Sequence, residues 1–276
     1  MNSVQLLSQP EVQSNTLIKP IELYIFIDPL CKQGYALQSV IRQLQLQYDQ
    51  YFTYRIVLST QLDTLNCITQ RTKDCIENID LDISHPALPS IAVKAAELQG
   101  KRAGFRYLCK LQQYALFSTN NVNSYTTLLE IAQKVKLDVK EFIQDFGSKE
   151  AARAFQCDLY ITREMEVEEV PSIVFFNECI EDEGLKISGH YSFEVYEHIL
   201  QELIQQPLIP NEVPTLDELF ERFYTVTTEE VANIYKLDYA SAERELKKRV
   251  LQQKIERITT EHYNGWKLKQ FATIYE

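Results

Sequence analysis

The chain has only seven glycines, and no glycine-rich loop of the kind that cradles a phosphate. Its four histidines, His85, His190, His198 and His262, are far apart and have no matching acid or nucleophile motif beside them. Nothing in the sequence therefore supports hydrolase or nucleotide chemistry. No stretch approaches the roughly 20 apolar residues that span a bilayer. The first residues, MNSVQLLSQPEVQSNTLIKP, lack the basic start and apolar run of a signal peptide, which predicts a cytoplasmic protein with no membrane partner. Cations are in deficit: 28 Lys and Arg stand against 39 Asp and Glu, a net charge of −11 that disfavours nonspecific binding to nucleic acid. None of the six cysteines (Cys31, Cys67, Cys75, Cys109, Cys157, Cys179) forms a CxxC pair, so they read as free thiols of a reducing compartment. Cys67, Cys75 and His85 are the only hint of a metal cluster. Their spacing is poor for it, and no metal or other cofactor is expected.

What is present is an apolar content of 45% in 276 residues, enough for one large or two modest cores. Ile21–Ile27 is a nearly continuous apolar run, as in a strand buried on both faces. Asp28-Pro29 makes a turn. From Tyr35, apolar residues Leu37, Val40, Ile41, Leu44 and Tyr48 fall at helical steps. Tyr51–Thr60 returns to strand composition, giving a β-α-β unit with a parallel pair. Residues 61–88 are irregular. One long helix is predicted from Ser90 through the run ending at Phe117, and further helices over Ser124–Lys134, Val139–Phe146 and Ser148–Met165. Val170–Phe176 and Gly184–Gly189 read as a strand pair and Ser192–Gln205 as a closing helix.

This order is that of a thioredoxin-type fold with helices inserted in the middle. Such a fold sets a CxxC pair where its first strand meets its first helix. Here Cys31 holds the first position and Gly34 the second, so the redox motif is degenerate. A lone thiol can attack a disulfide, but the mixed disulfide is then not resolved within the chain. The helix dipole favours a thiolate at such a position. Cys31 is open to three readings: a space-filling relic, a sensing thiol, or half of an oxidoreductase with a distant resolving cysteine. Pro171, preceded by Val170, is expected to be the cis proline that faces this turn.

Pro207, Pro210 and Pro214 mark a linker. Beyond it come a short amphipathic helix (TLDELFERFY), a helix start at Thr227-Thr228-Glu229-Glu230, and a longer helix over Asp238–Ile255. A hairpin turning at Asn264-Gly265 follows. That is the winged-helix order. Arg244, Lys247, Lys248, Arg249 and Lys254 could face DNA, but Glu243, Glu245 and Glu256 interleave with them, the pattern of a solvated, ion-paired face. The expected domains are a flexible arm over 1–20, an α/β thioredoxin-like (DsbA-like) domain over 21–206 with its insertion at about 90–165, a linker over 207–214 and a winged-helix-like module over 215–276.

The segments IELYIFIDPLCKQGYALQ, AVKAAELQG, REMEVEEVPSIVFFN and EGLKISGHYSFEVY, with the ending RELKKRVLQQKIE–WK, resemble the SpxH/YjbH family of ClpXP adapter proteins. The resemblance runs from about Ile21 to Leu268. It implies a cytoplasmic adapter, not an enzyme, that binds the transcription regulator Spx and promotes its degradation by the ClpXP protease in unstressed cells. Some members of that family have a full CxxC where this chain has Cys31 and Gly34. The alternatives are a thiol-disulfide oxidoreductase or thiol sensor of the DsbA-like class, and a winged-helix DNA-binding regulator.

Overall fold

The computed structural model describes residues 19–59, 87–117, 121–177, 184–223, 225–260 and 263–269. Most of the arm expected over 1–20 and of the irregular stretch expected over 61–88 lies outside the described residues, as do Cys67, Cys75, His85, Cys179 and His262.

The first strand, β1 (Ile21–Ile27), pairs parallel with β2 (Phe52–Leu58), and α1 (Lys32–Gln47) makes the crossover between them. β3 (Ser172–Phe176) pairs antiparallel with β1, and β4 (Leu185–Ser188) antiparallel with β3, giving the sheet order β2-β1-β3-β4. Both faces of this sheet are covered, which is why β1 shows little alternation. Leu23, Ile25 and Ile27 enter the main core with Leu37, Ile41 and Leu44 of α1. Phe26, Val57 and Val174 form a smaller cluster on the opposite face, against Ile161 and Met165. The latter two belong to α6 (Lys149–Glu164) and its C-cap.

Among the described residues between β2 and β3, the helices are α2 (Leu88–Leu98), α3 (Lys101–Phe117), α4 (Tyr125–Lys134), α5 (Val139–Phe146) and α6. Where one long helix is predicted from Ser90, there are two. The break falls at Gly100, whose φ of +119° lies where a side chain would be strained, so the chain reverses there. Local capping sets several boundaries: Asp138 accepts from the amides of Lys140 and Glu141 to start α5, and Ser148 from that of Ala151 to start α6. α7 (Phe193–Ile204) closes this part of the chain, with Tyr196 and Leu200 in the main core.

The proline-rich segment after α7 is strapped down. Asn211 donates its amide to the Gln47 carbonyl (2.7 Å) and its side-chain nitrogen to Asp49 and Gln50 (2.8 Å each). The Tyr51 hydroxyl accepts from the Ile209 amide (3.0 Å).

The last part has its own core of Leu219, Phe220, Val226, Val231, Leu246, Ile255 and Trp266, joined by Leu46 of α1. Its elements are α8 (Leu216–Phe223), β5 (Thr225–Thr227), α9 (Thr228–Tyr235), α10 (Tyr239–Leu251), β6 (Ile255–Thr260) and β7 (Tyr263–Leu268). A capping box starts α9: the Thr227 hydroxyl accepts from the Glu230 amide, and the Glu230 carboxylate accepts from the Thr227 amide.

Two further sequence expectations are corrected here. α10 ends at Leu251, and Ile255 begins β6, because Gln253 turns the chain at a φ of 59°. The hairpin does not turn at Asn264-Gly265. Those residues lie within β7, paired with Thr259 and Ile258. Tertiary pairing overrides the local turn signal: β7 is the central strand, Gly265 also meets Thr227 of β5, and buried Trp266 donates from its indole to the Thr228 hydroxyl (2.9 Å). The strand β5 itself is too short to leave a periodic signal.

Asp217 of α8 takes Lys254 and Arg249 as ion partners, and the hydrogen bond from Lys254 holds its carboxyl below the usual aspartate range. A depressed folded-state value stabilises above the unfolded value, so this contribution is complete above about pH 4 and lost as pH falls below it. Asp217→Asn is therefore expected to flatten the acid limb of a stability-versus-pH curve without lowering stability further at acid pH. An unchanged acid limb would show the pair to be slack.

Candidate functional site

The degenerate motif sits on the turn that ends β1. Asp28 organises it: its carboxylate oxygen accepts from the Leu30 amide (2.8 Å) and its carbonyl from the Cys31 amide (3.1 Å). Burial raises the Asp28 carboxyl above its ordinary range, against the lowering effect of the Leu30 amide. Cys31 is the N-cap of α1, partly exposed, with extended backbone. A Cβ at Gly34 would stand 3.3 Å from the Asp28 carbonyl oxygen and 3.7 Å from the Ile27 Cβ. A side chain there must push the turn back by a few tenths of an ångström, so this chain is packed around a glycine at the second motif position.

The Val170-Pro171 peptide bond is cis, and the Pro171 carbonyl accepts from the Gly189 amide (2.8 Å). Phe26 is opposite Ser172 in the antiparallel register, so the end of β1 that leads to Cys31 and the start of β3 that follows Pro171 lie at the same end of the sheet. No second described thiol completes a pair with Cys31. Cys109 is engaged by Gln38, seven residues and about 10 Å further along α1. Cys157 is exposed on α6. Among the described residues no three His, Cys, Asp or Glu side chains converge as metal ligands.

One heavily bonded cluster is not announced by the sequence. Arg42, only 2% exposed, donates to the Thr225 carbonyl (3.0 Å), to Glu230 (3.3 Å) and to the Gln38 side chain (3.2 Å), and its guanidinium lies 5.1 Å from the centre of the Phe223 ring. Burial alone would lower its pKa, but Glu230 and then the Cys109 sulfur overcome that and hold it above its ordinary range. Burial raises the Cys109 thiol, although Arg42 opposes it. Gln38 also donates to Gln112 (2.9 Å), and Gln113 donates to the Thr225 hydroxyl. This network fastens α1 and α3 to β5 and α9. Glu230 thus serves twice, as helix cap and as counter-ion. The available signal was a run of glutamines and one arginine on an otherwise apolar helix.

The cations proposed for a DNA-facing helix are largely spoken for. Lys247 pairs with Glu243 (3.0 Å), Lys248 with Glu245 (2.6 Å), and Arg249 with both Asp217 (3.0 Å) and Glu245 (3.2 Å), while Lys254 pairs with Asp217. Among the described residues no helix is long and apolar enough to cross a membrane.

Similarity to known proteins agrees with this geometry. The thioredoxin family model matches residues 24–198. The chain is 37% identical to the protein of Bacillus subtilis (strain 168) named ClpXP adapter protein SpxH, covering 94% of this chain and 93% of that one. It is 35% identical to the protein of the same name from Halalkalibacterium halodurans, over 94% and 92%. Among solved structures it is similar to a protein described as a disulfide isomerase from Nitrosomonas europaea (TM-score 0.54, 17% identity, covering 68% of this chain and 98% of that one). A cysteine-to-alanine variant of alpha-DsbA1 from Wolbachia pipientis gives a TM-score of 0.51 at 13% identity, over 68% and 88%. These two likenesses concern the fold alone. With a thioredoxin scaffold over most of its length and more than a third of its residues shared end to end with these relatives, the chain belongs to the SpxH family of thioredoxin-fold proteins.

Proposed function

We propose that this protein is a cytoplasmic adapter that binds an Spx-type transcription regulator and promotes its degradation by the ClpXP protease, without catalysing a reaction itself. The end-to-end likeness to proteins named ClpXP adapter protein SpxH carries this reading. The glycine-packed second motif position supports it, because the turn holds one thiol and no resolving partner among the described residues. An adapter needs no covalent step: it raises the effective concentration of substrate at the protease and favours one substrate conformation. The test is reconstitution from purified protease, regulator and this protein. Degradation is expected to speed up when the protein is added, and equal rates with and without it would refute the proposal.

The oxidoreductase reading rests on distant fold neighbours and a lone thiol. The DNA-binding reading rests on five cations, four of which, Lys247, Lys248, Arg249 and Lys254, already have carboxylate partners. Neither is favoured by a specific observation.

A further inference from the structure

A cleft of about 830 Å³ lies where α1, the start of α7 and α9 meet, bounded below by the Arg42–Glu230 junction. We infer that this cleft is a docking site for an extended protein segment carrying basic and apolar side chains. Its volume is in the range of pockets that enclose a small ligand or several side chains.

Part of its apolar lining is exposed, Tyr191 on the α7 side at 47% and Leu237 on the α9 side at 38%, above a buried floor that includes Val40 and Ile234. Its charge is uneven. Glu194, Glu197 and Glu229 line it, and none of the three is ion-paired with a described lysine or arginine; Glu197 accepts from the Tyr48 hydroxyl. The hydrogen bond from Ser192 lowers the Glu194 carboxyl below its usual range, so it is ionised at neutral pH. Against them stand Lys236 and His190, while Arg42 is neutralised by Glu230.

The helix starts sharpen the choice. α7 and α9 both begin at the cleft, and a helix N-terminus would ordinarily draw an anion. Here Glu194 occupies the first turn of α7, and Glu229 and Glu230 that of α9. The cleft therefore rejects an acidic segment and selects a basic one. The inference deepens the adapter reading, on which it rests for the occupant being part of a protein partner.

The test uses the full chain and a fluorescent ten-residue peptide of alternating lysine and leucine, with a glutamate–leucine peptide as the control, read by anisotropy. The lysine peptide is expected to bind and the glutamate peptide not to. The double variant Glu194→Gln/Glu229→Gln is expected to weaken binding by about threefold to tenfold. Glu164→Gln/Glu168→Gln, which removes two exposed charges outside the cleft, is expected to change it less than twofold. Circular dichroism of each variant checks the fold. Absence of binding, an unmoved cleft variant, or equal weakening by both pairs would overturn the inference, the last showing only general attraction to an acidic protein. No protease enters this measurement, so its failure leaves the adapter reading standing, and failure of the degradation assay leaves the peptide result standing.

Discussion

Arg42→Ala is expected to cost about 3–5 kcal/mol of stability, because it strands Glu230 in a buried site without its counter-ion. The side chains of Arg42 and Glu230 are 3% and 8% exposed, so the pair is largely shielded from water. The Thr225 carbonyl loses a donor at the same step, and the Phe223 ring keeps only the Arg222 guanidinium of its two cations. The readout is built in: Trp266 is the single tryptophan, 2% exposed in the C-terminal core. Urea unfolding followed by its fluorescence is expected to shift strongly to lower denaturant. The double variant Arg42→Met/Glu230→Gln removes both charges and is expected to cost less than the sum of the singles. A single-variant cost under about 1 kcal/mol, the size of an exposed pair, would contradict the view that this network holds the two parts of the chain together.

The second large effect is expected at Asp158, on the far side of the sheet. One carboxylate oxygen takes the Lys94 ammonium (2.5 Å) and the Leu58 amide (2.9 Å), and the other takes Arg55 (3.4 Å). Lys94 and Asp158 are 5% and 1% exposed, so the pair ties α2 and α6 to β2 inside the protein. Asp158→Ala leaves Lys94 buried with only Glu97, at 2.9 Å, and leaves the Leu58 amide without its acceptor. The expected cost is again about 3–5 kcal/mol. Asp158→Asn keeps an acceptor but loses the charge and is expected to fall between the two. Thermal melts followed by circular dichroism measure both. An alanine variant as stable as the parent would mean that the surrounding helices repack around Lys94.

These two clusters show where sequence reading stops. β1, α1 and β2 were legible because their signal is local: a seven-residue run apolar but for Glu22, a helical repeat beginning near Tyr35, and a β-branched and aromatic stretch. The start of α9 was legible for the same reason, since its capping hydroxyl and acidic first turn lie within four residues. Asn264-Gly265 misled because a local turn preference yields to the pairing of a central strand and the burial of Trp266. Arg42, Lys94 and Asp158 carry no local sequence signal that sets them apart from surface charges on helices. Only the fold brings Glu230 to Arg42 across 188 positions, and Asp158 to the Leu58 amide across 100. At the candidate site, Cys31 and Gly34 were readable as a broken motif, whereas the closeness of Asp28 to Gly34 required the turn itself.

The central claim is that a thioredoxin scaffold is kept here for binding and not for thiol chemistry. The direct measurement is the rate of Spx-type regulator degradation by purified ClpXP with the Cys31→Ser variant in place of the parent protein. The expected result is the same acceleration as with the parent, since Cys31 is a partly exposed cap residue with no resolving thiol among the described residues. Loss of the acceleration in a folded Cys31→Ser variant would contradict the claim and return the thiol to the mechanism.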